Sequence, residues 1–307
     1  MAKPIGVLVM AYGGPNTLAD VEPYLLDVRG FRPTAPEIVE EVRARYAAIG
    51  GRSPILEQTQ AQAQALAAAL SKNGHTYRVV AGMRHWQPRI GEALTRLAAD
   101  GVDHAVGLVM APHYSRLSID LYFAQVEKAR GSIEVAPIED WHLLPGYLDA
   151  VADRVRDTLQ RFPESAREQV PVLFTAHSLP ERILEWEDPY PSQLAASVRE
   201  MMARLGPRPH RFAYQSAALT RDPWLGPDAG TVLAELAGEG HRHVLVAPIG
   251  FTCEHVEVLY DVDIELRGRA AALGIRLERI EMVHEHPAMI IGLADLITAA
   301  ARRRGWV

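Results

Sequence analysis

Four short runs of apolar residues stand out along the chain, each rich in Val, Leu or Ile. Gly, Pro or Ser follows every run within two residues and marks a turn or loop there. The runs cover residues Ile5–Ala11, 105–111, 170–176 and 243–249. Continuous apolar runs of this length predict strands that are buried on both faces, as in a parallel sheet.

Helical patterns occupy the segments between these runs. Pro36–Ala48 begins with a proline and places acidic residues in its first turn, and both features favour a helix start. A last helix is predicted over residues 286–303. Helical spacing recurs in five further segments, which are residues 57–72, 93–100, 146–161, 191–205 and 229–238. The alternation of strands and helices predicts βαβ units around parallel sheets.

The two halves of the chain echo one another weakly. Residues 8–15 (LVMAYGGP) and 109–113 (VMAPH) have counterparts in residues 173–180 (LFTAHSLP) and 246–249 (VAPI). Two similar α/β domains are the simplest interpretation, although any two buried strands also look alike. Ligands of such folds bind at the carboxyl ends of the strands, so chemistry is expected just after each run.

A boundary between the halves is predicted near residues 145–150. It divides the chain into an N-terminal α/β domain of residues 1–148 and a C-terminal α/β domain of residues 149–307. The length of 307 residues suits two such domains. The last helix follows the second half and is a candidate to pack back on the first.

The composition excludes several classes of protein. Hydrophobic residues make up 48% of the chain and charged residues 23%, which is ordinary for a globular protein. The net charge of -6 provides no basic footprint, so nucleic-acid binding is excluded. Cys253 is the only cysteine, which rules out an intrachain disulfide and a four-cysteine zinc or iron–sulfur site.

The sequence shows no membrane or export signal. No stretch approaches the roughly 18 uninterrupted apolar residues of a transmembrane helix. The first apolar run is short for a signal peptide and lacks a small-residue cleavage site after it, so we interpret it as a strand. A cytoplasmic, reducing compartment fits these features.

A histidine follows the third apolar run directly. His177 lies in residues 176–180 (AHSLP), between a buried strand and a proline that stops regular structure. Such a place favours an exposed, positioned side chain, as in a catalytic or binding site. The alternative is a loop histidine that only caps a helix or donates a hydrogen bond.

An acidic segment follows the fourth run. If residues 251–265 are helical, Glu257, Asp261 and Glu265 share one face at i, i+4 and i+8, and His255 points elsewhere. No Lys or Arg is interleaved among them. Hard cations prefer oxygen ligands, and this ladder would span roughly 12 Å at about 1.5 Å per residue. The alternative is an exposed acidic helix face.

Arginines and tyrosines cluster in the first third of the chain. Tyr12 follows the first strand, where Gly13 and Gly14 permit a tight turn. Guanidinium groups bind carboxylates in bidentate fashion. The candidates are Arg29, Arg32, Arg45 and Tyr46, followed by residues 50–54 (GGRSP). Any single arginine is also explained as a solvated surface residue, and the patterns of phosphate-binding glycine loops are absent from the sequence.

The chain resembles the ferrochelatase family along its whole length. Several motifs in the same order carry this resemblance. They are residues 11–15 (AYGGP), 45–46 (RY), 49–54 (IGGRSP), 176–180 (AHSLP), 188–191 (DPYP), 214–216 (YQS), 223–227 (PWLGP) and 254–261 (EHVEVLYD).

The resemblance implies a fold and a site. The fold is two similar Rossmann-like domains, each a four-stranded parallel sheet flanked by helices, with a porphyrin cleft between them. His177 is the implied active-site histidine and Glu257 its partner carboxylate, and both are implied, together with Tyr12, to contact the metal. Asp261 and Glu265 are implied to form an outer divalent-cation site, for example for Mg²⁺. Tyr12 is implied to lie near the macrocycle centre, opposite His177.

The porphyrin expected from the resemblance is coproporphyrin III. The compact length and the Arg45, Tyr46 and Ser53 segment look most like the coproporphyrin-using branch of monoderm bacteria. Implied porphyrin-binding residues are Tyr12, Arg29, Arg45, Tyr46, Ser53 and Tyr122. Two positions depart from the family pattern, since Glu254 replaces a common Asp and Cys253 replaces Ser or Ala-like residues.

The expected reaction inserts Fe²⁺ as a substrate, without a redox cofactor or an iron–sulfur cluster. His177 would accept a pyrrole proton and Glu257 would accept or relay one. Expected partners are the porphyrin, ferrous iron and, transiently, neighbouring haem-pathway enzymes, for a monomeric protein. The alternatives are a protoporphyrin IX ferrochelatase, a cobalt chelatase, which residues 224–227 (WLGP) argue against, and a non-catalytic haem- or porphyrin-binding protein.

Overall fold

The structure is a computed structural model that describes residues 3–218 and 222–307. Eight strands lie within the described residues. They are β1 (Ile5–Ala11), β2 (Tyr77–Met83), β3 (His104–Val109), β4 (Glu134–Ile138), β5 (Val172–His177), β6 (His210–Gln215), β7 (His243–Pro248) and β8 (Arg276–Arg279).

Eleven α-helices lie in the same described part of the chain. They are α1 (Val21–Val28), α2 (Pro36–Ala48), α3 (Ile55–Leu70), α4 (Ile90–Ala99), α5 (Ile119–Ala129), α6 (Pro145–Leu159), α7 (Tyr190–Leu205), α8 (Ala229–Gly238), α9 (Val256–Leu259), α10 (Arg267–Ala272) and α11 (Pro287–Arg303). A π-helical turn, Asp261–Leu266, joins α9 to α10. Short 3-10 helices cover Leu18–Asp20, Ser71–Asn73, Glu164–Gln169 and Glu181–Trp186.

Two parallel sheets of four strands confirm the predicted α/β fold. Their strand orders are β2-β1-β3-β4 and β6-β5-β7-β8, so the second half repeats the topology of the first. The four predicted runs became β1, β3, β5 and β7, which are the two central strands of each sheet. Central strands are covered on both faces, which explains their continuous apolar sequence.

Alternate residues of each central strand face two different cores. In β1, Val7 and Val9 face a cluster that is shared by both halves, whereas Leu8 and Met10 face a cluster confined to the first half. In β5, Phe174 joins the shared cluster, whereas Leu173 faces a cluster confined to the second half. This period of two follows from the pleat of the strands. The shared core joins the two sheets into one packed body.

Helices α6 and α11 lie in this shared core. The predicted division after residue 148 falls inside α6, and α11 packs against α6, α3, β3 and β4. Gly146 permits the crossing of α6 and α11, because a Cβ atom there would lie 2.0 Å from the carbonyl oxygen of Ala288. The last helix therefore packs on the first half, and the domain boundary stays a prediction. No helix in the described ranges is long and apolar enough to cross a membrane.

Candidate active site

A cavity of about 290 Å³ opens where the carboxyl ends of the central strands of both sheets meet. Residues that follow β1, β3, β5 and β7 all contribute to its wall, as the topology of parallel sheets dictates. The polar side chains that line it include Tyr12, Tyr46, Ser53, Arg84, His113, Tyr122, His177, His255 and Glu257. Sequence reasoning about strand ends thus found the right edge of the sheets.

His177 and Glu257 form an ion pair at this cavity. The Nε2 atom of His177 lies 3.5 Å from Oε1 of Glu257. The Nδ1–H of His177 donates to the carbonyl oxygen of Ser178, which leaves Nε2 to face the carboxylate. Burial lowers the pKa of His177, but the charge and hydrogen bond of Glu257 outweigh burial and raise it to about 8. Burial would raise the pKa of Glu257, whereas both neighbouring histidines hold it below its usual range.

His255 contacts Glu257 as well, contrary to the prediction that it points elsewhere. Its backbone is extended, with φ of −159°, because His255 is the residue that precedes α9. Its Nε2 atom lies 3.6 Å from Oε2 of Glu257. The prediction was wrong because helical spacing does not apply at a residue outside the helix. Glu257 therefore lies between two imidazoles.

The predicted acidic ladder is not one face of a regular α-helix. The carbonyl oxygen of Tyr260 accepts from both Ile264 N and Glu265 N, at 3.1 and 2.9 Å, which is the widened geometry of a π turn. The turn rotates Glu265 out of register with Glu257. Glu265 pairs with Arg269 at 2.8 Å, on the exposed side.

Asp261 lies between Glu257 and Glu265 along the chain. Its carboxylate accepts a hydrogen bond from the Ser216 hydroxyl and lies 3.7 Å from Nη1 of Arg45. Burial raises the pKa of Asp261 to about 6, although the Ser216 bond and Arg45 oppose the shift. No three His, Cys, Asp or Glu side chains of the described residues converge closely enough to hold a metal ion.

Of the six predicted porphyrin-binding residues, four line the cavity and two do not. Tyr12, Tyr46, Ser53 and Tyr122 line the cavity. Arg29, at the end of α1, is exposed and does not line it.

Arg45 does not line the cavity either. Its guanidinium pairs with Glu41 at 2.8 Å and lies 5.2 Å from the Tyr260 ring, beside the cavity. Arg45 and Asp261 therefore form a rim next to the hydroxyl-lined wall.

Sequence reasoning missed Arg84. Its guanidinium lies over the rings of Tyr12 and Tyr122, at 5.6 and 5.3 Å from their centroids. Within residues 3–218 and 222–307 no ion pair to a carboxylate is found for it at 4.0 Å or less. Burial raises the pKa of Tyr12 to about 12, so its hydroxyl stays neutral. Arg84 directly follows β2, an edge strand that the apolar runs did not predict, so the search for residues at strand ends passed over it.

His85 supports Tyr12 from behind. The two ring centroids are 4.6 Å apart. Nδ1 of His85 lies 2.9 Å from Oδ1 of Asp27, and Arg89 pairs with the other carboxylate oxygen at 2.7 Å. Burial lowers the pKa of His85. This group fixes the ring that forms one wall of the cavity.

His113 also lines the cavity and was not predicted. Its Nε2 lies 2.9 Å from the Ser197 hydroxyl oxygen, and that hydroxyl donates to the carbonyl oxygen of His142. A hydroxyl has one proton, so Nε2–H of His113 must be the donor in its own bond. Burial lowers the pKa of His113 to about 3, and the residue is therefore neutral.

Comparison with solved structures places the fold among the chelatases. SirB from Bacillus subtilis with Fe3+ superimposes with a TM-score of 0.60 at 11% identity, over 98% of this chain and 97% of that structure. CbiX, the terminal enzyme of siroheme biosynthesis in denitrifying bacteria, gives 0.51 at 16% identity, over 96% and 99%. These likenesses concern the fold alone.

Sequence comparison identifies the family. The ferrochelatase family model matches residues 4–301. The ferrochelatase of Herpetosiphon aurantiacus is 43% identical, over 97% of this chain and 99% of the relative. The coproporphyrin III ferrochelatase of Geobacillus kaustophilus is 38% identical, over 96% and 95%. The chain belongs to the ferrochelatase family and is an enzyme that inserts iron into a porphyrin.

Proposed function

We propose that this enzyme inserts Fe²⁺ into coproporphyrin III, and that His177 and Glu257 handle the pyrrole protons. The observation that carries the catalytic part is the ion pair of these two residues at the cavity. Support for the substrate comes from the relative of Geobacillus kaustophilus, which is named for coproporphyrin III. The relatives of Herpetosiphon aurantiacus and Deinococcus radiodurans are named only ferrochelatase, the latter at 40% identity.

The polar wall of the first half supports the same substrate. Coproporphyrin III carries four propionates, and protoporphyrin IX replaces two of them with vinyl groups. Hydroxyls of Tyr46, Ser53 and Tyr122 line the cavity, and Arg84 brings a guanidinium without a carboxylate partner among the described residues. Such donors favour carboxylates over vinyl groups, because a charge-assisted bond contributes about 1.5–3 kcal/mol.

Metal insertion needs a proton acceptor. Two pyrrole N–H bonds break while Fe–N bonds form, and Fe²⁺ keeps its oxidation state. Neutral His177 presents the lone pair of Nε2, since its Nδ1–H donates to Ser178. It takes one proton, and the adjacent Glu257 carboxylate stabilises the imidazolium until that proton is released to solvent. Glu257 accepts the other proton or relays it to solvent. Because the pKa of His177 is about 8, the free pair holds a proton at neutral pH and must release it first.

We also propose an outer cation site at Asp261 and Glu265. Mg²⁺ commonly uses one or two carboxylates and retains several waters, so two side chains suffice. Asp261 fits, because among the described residues only the Ser216 hydroxyl donates to its carboxylate and Arg45 lies no closer than 3.7 Å. Glu265 fits only if it leaves Arg269. Bound Mg²⁺ would supply positive charge beside Asp261.

Competition between two porphyrins tests the substrate. Coproporphyrin III and protoporphyrin IX are offered together with Fe²⁺ under anaerobic conditions, and both products are followed by absorbance. Two missing propionates, at about 1.5–3 kcal/mol each, should lower kcat/KM roughly a hundred- to ten-thousand-fold, at about 1.4 kcal/mol per decade. Equal or higher kcat/KM with protoporphyrin IX would assign the enzyme to the protoporphyrin branch instead.

A further inference from the structure

The segment that carries Asp261 and the cavity-lining Glu257 does not fold on local interactions alone. Helix α9 has only 4 residues, and the π turn after it has 6. Short helices are marginal in water and π turns are rare, so tertiary contacts must hold them. At the end of β6, Gln215 Nε2 donates to the Glu257 carbonyl oxygen at 2.8 Å and the Ser216 hydroxyl donates to Asp261.

A single guanidinium holds the opposite side. Arg279, the last residue of β8, has a side chain that is only 11% exposed. Its Nε and Nη2 donate to the two carboxylate oxygens of Asp263, both at 2.9 Å. Its Nη1 donates to the Ile280 carbonyl oxygen at 2.6 Å and to Oε1 of Glu254 at 3.4 Å. Arg279 thus binds two carboxylates that bracket the catalytic segment.

Glu254 in turn connects this clamp to the first half. Its Oε2 lies 2.8 Å from Nε2 of His284 and accepts from Gln58 of α3 at 3.2 Å. Gln62, one turn further along α3, donates to the His284 carbonyl oxygen at 3.0 Å. The pKa of Glu254 is held at about 2 against the effect of burial, so its charge persists. The contacts run from α3 through Glu254 to Arg279.

We propose that Arg279 is a positioning residue for the reaction, because its guanidinium fixes both ends of the segment that carries Glu257 and Asp261. This inference rests on the catalytic role proposed for Glu257. Arg279 does not line the cavity and acts only through the geometry of the segment. Lysine keeps the charge but cannot make the bidentate bond, so Arg279→Lys is the informative change.

Arg267 provides a matched control. It also donates to Asp263, at 3.3 Å, but its side chain is 48% exposed and makes no contact with Glu254 within the described residues. We expect Arg279→Lys to lower kcat about 10- to 100-fold, since displacement of a catalytic group by about 1 Å has effects of this order. The porphyrin Kd, measured by fluorescence quenching, should change less than about twofold. Arg267→Lys should match the unmodified enzyme in both.

Two readouts separate positioning from a general loss of stability. Hydrogen exchange should accelerate at the amides of Ile264 and Glu265, which bond to the Tyr260 carbonyl oxygen, and not in the central strands. The midpoint of the pH profile should move from about 8 towards the ordinary histidine value, because Glu257 no longer lies beside His177. Unchanged exchange and midpoint in Arg279→Lys, or faster exchange throughout the protein, would overturn the proposal.

A second variant covers the case in which Arg279→Lys does not fold. Asp263→Asn keeps the side-chain shape and loosens only the π-turn end of the clamp, so the same changes should occur at smaller size. A folded Asp263→Asn enzyme with normal kcat and exchange also overturns the proposal. If His177→Ala and Glu257→Gln retain turnover, the proposed function fails, whereas the exchange experiment still reports whether Arg279 holds the segment.

Discussion

The Nε2 atom of His177 and the Oε1 atom of Glu257 are 3.5 Å apart, although His177 ends strand β5, Glu257 lies in helix α9 and the two are 80 positions apart in sequence. Helix α9 is the first helix after β7, and β7 is the sheet neighbour of β5, so both side chains lie at the carboxyl ends of these two strands. The pair therefore raises the pKa of the histidine and lowers that of the carboxyl group. This coupling gives the reaction a definite pH dependence.

The activity should rise with pH. His177 must be neutral to accept a proton and its pKa is about 8, so kcat/KM should increase about tenfold per unit below pH 8 and level off above it. In Glu257→Gln the charge that raises this pKa is lost and burial remains, so any residual activity should have its midpoint near or below the ordinary value of about 6.5. Rates measured anaerobically from pH 6 to 9 check both. A flat profile, or the same midpoint in the variant, contradicts the assignment.

Loss of the imidazole should reduce turnover and spare porphyrin binding. We expect His177→Ala to lower the rate of iron insertion about 10²–10⁴-fold, the usual contribution of a general base. Porphyrin binding should persist, since the hydroxyl-lined wall of the first half is untouched. The measurements are anaerobic Fe²⁺ insertion and porphyrin fluorescence quenching. Near-normal turnover in His177→Ala would remove this residue from the mechanism.

Arg45 should contribute to the choice of porphyrin. It lies beside the cavity with its guanidinium towards Glu41 and Asp261. Arg45→Ala should raise KM for coproporphyrin III about tenfold or less, because the group is partly exposed, and should change KM for protoporphyrin IX less. Arg43, which pairs with Glu40 on the same helix, is the control. An equal effect of both variants, or an unchanged ratio of kcat/KM for the two porphyrins, would count against this role.

Binding of Mg²⁺ at the outer site should depend on pH through Asp261. Burial raises the pKa of this carboxyl group to about 6, so its charged form grows from about a tenth at pH 5 to about nine-tenths at pH 7. The affinity for Mg²⁺, measured by calorimetry without iron, should rise about tenfold over that range. Replacement of both Asp261 and Glu265 by their amides should abolish the rise and leave porphyrin Kd unchanged. A pH-independent affinity would place Mg²⁺ elsewhere.

The crossing of α6 and α11 should tolerate no side chain at Gly146. A Cβ atom there would lie 2.0 Å from a backbone oxygen, which cannot move without shifting the helix. We expect Gly146→Ala to cost about 1–3 kcal/mol of unfolding free energy and to lower Tm by several degrees. Gly238→Ala, at a position with nothing within 4 Å of the added carbon, is the control. Calorimetry should find the control unchanged or slightly more stable, and equal Tm values would refute the packing argument.

The sequence by itself determined the central strands, most of the helices and the positions of the main reactive groups. The strands β1, β3, β5 and β7 are apolar throughout because neighbours cover both of their faces, so a local pattern sufficed to find them. His177 stands at the end of one such run, which is why its role could be proposed before any coordinates. The spacing of the acidic residues drew attention to Glu257, and the motifs shared with ferrochelatases then implied that it is the partner of His177.

Only the tertiary structure decided the edge strands and the details of the site. The edge strands β2, β4, β6 and β8 have mixed sequences because sheet neighbours flank only one side, so Arg84 and His85 went unnoticed behind β2. The prediction that Glu257, Asp261 and Glu265 share one face of a regular α-helix was wrong, because a π turn interrupts the helix. That turn is held by Arg279, which is 16 positions from its partner Asp263. A local pattern records the preferences of neighbouring residues, whereas contacts between distant side chains exist only once both sheets have packed.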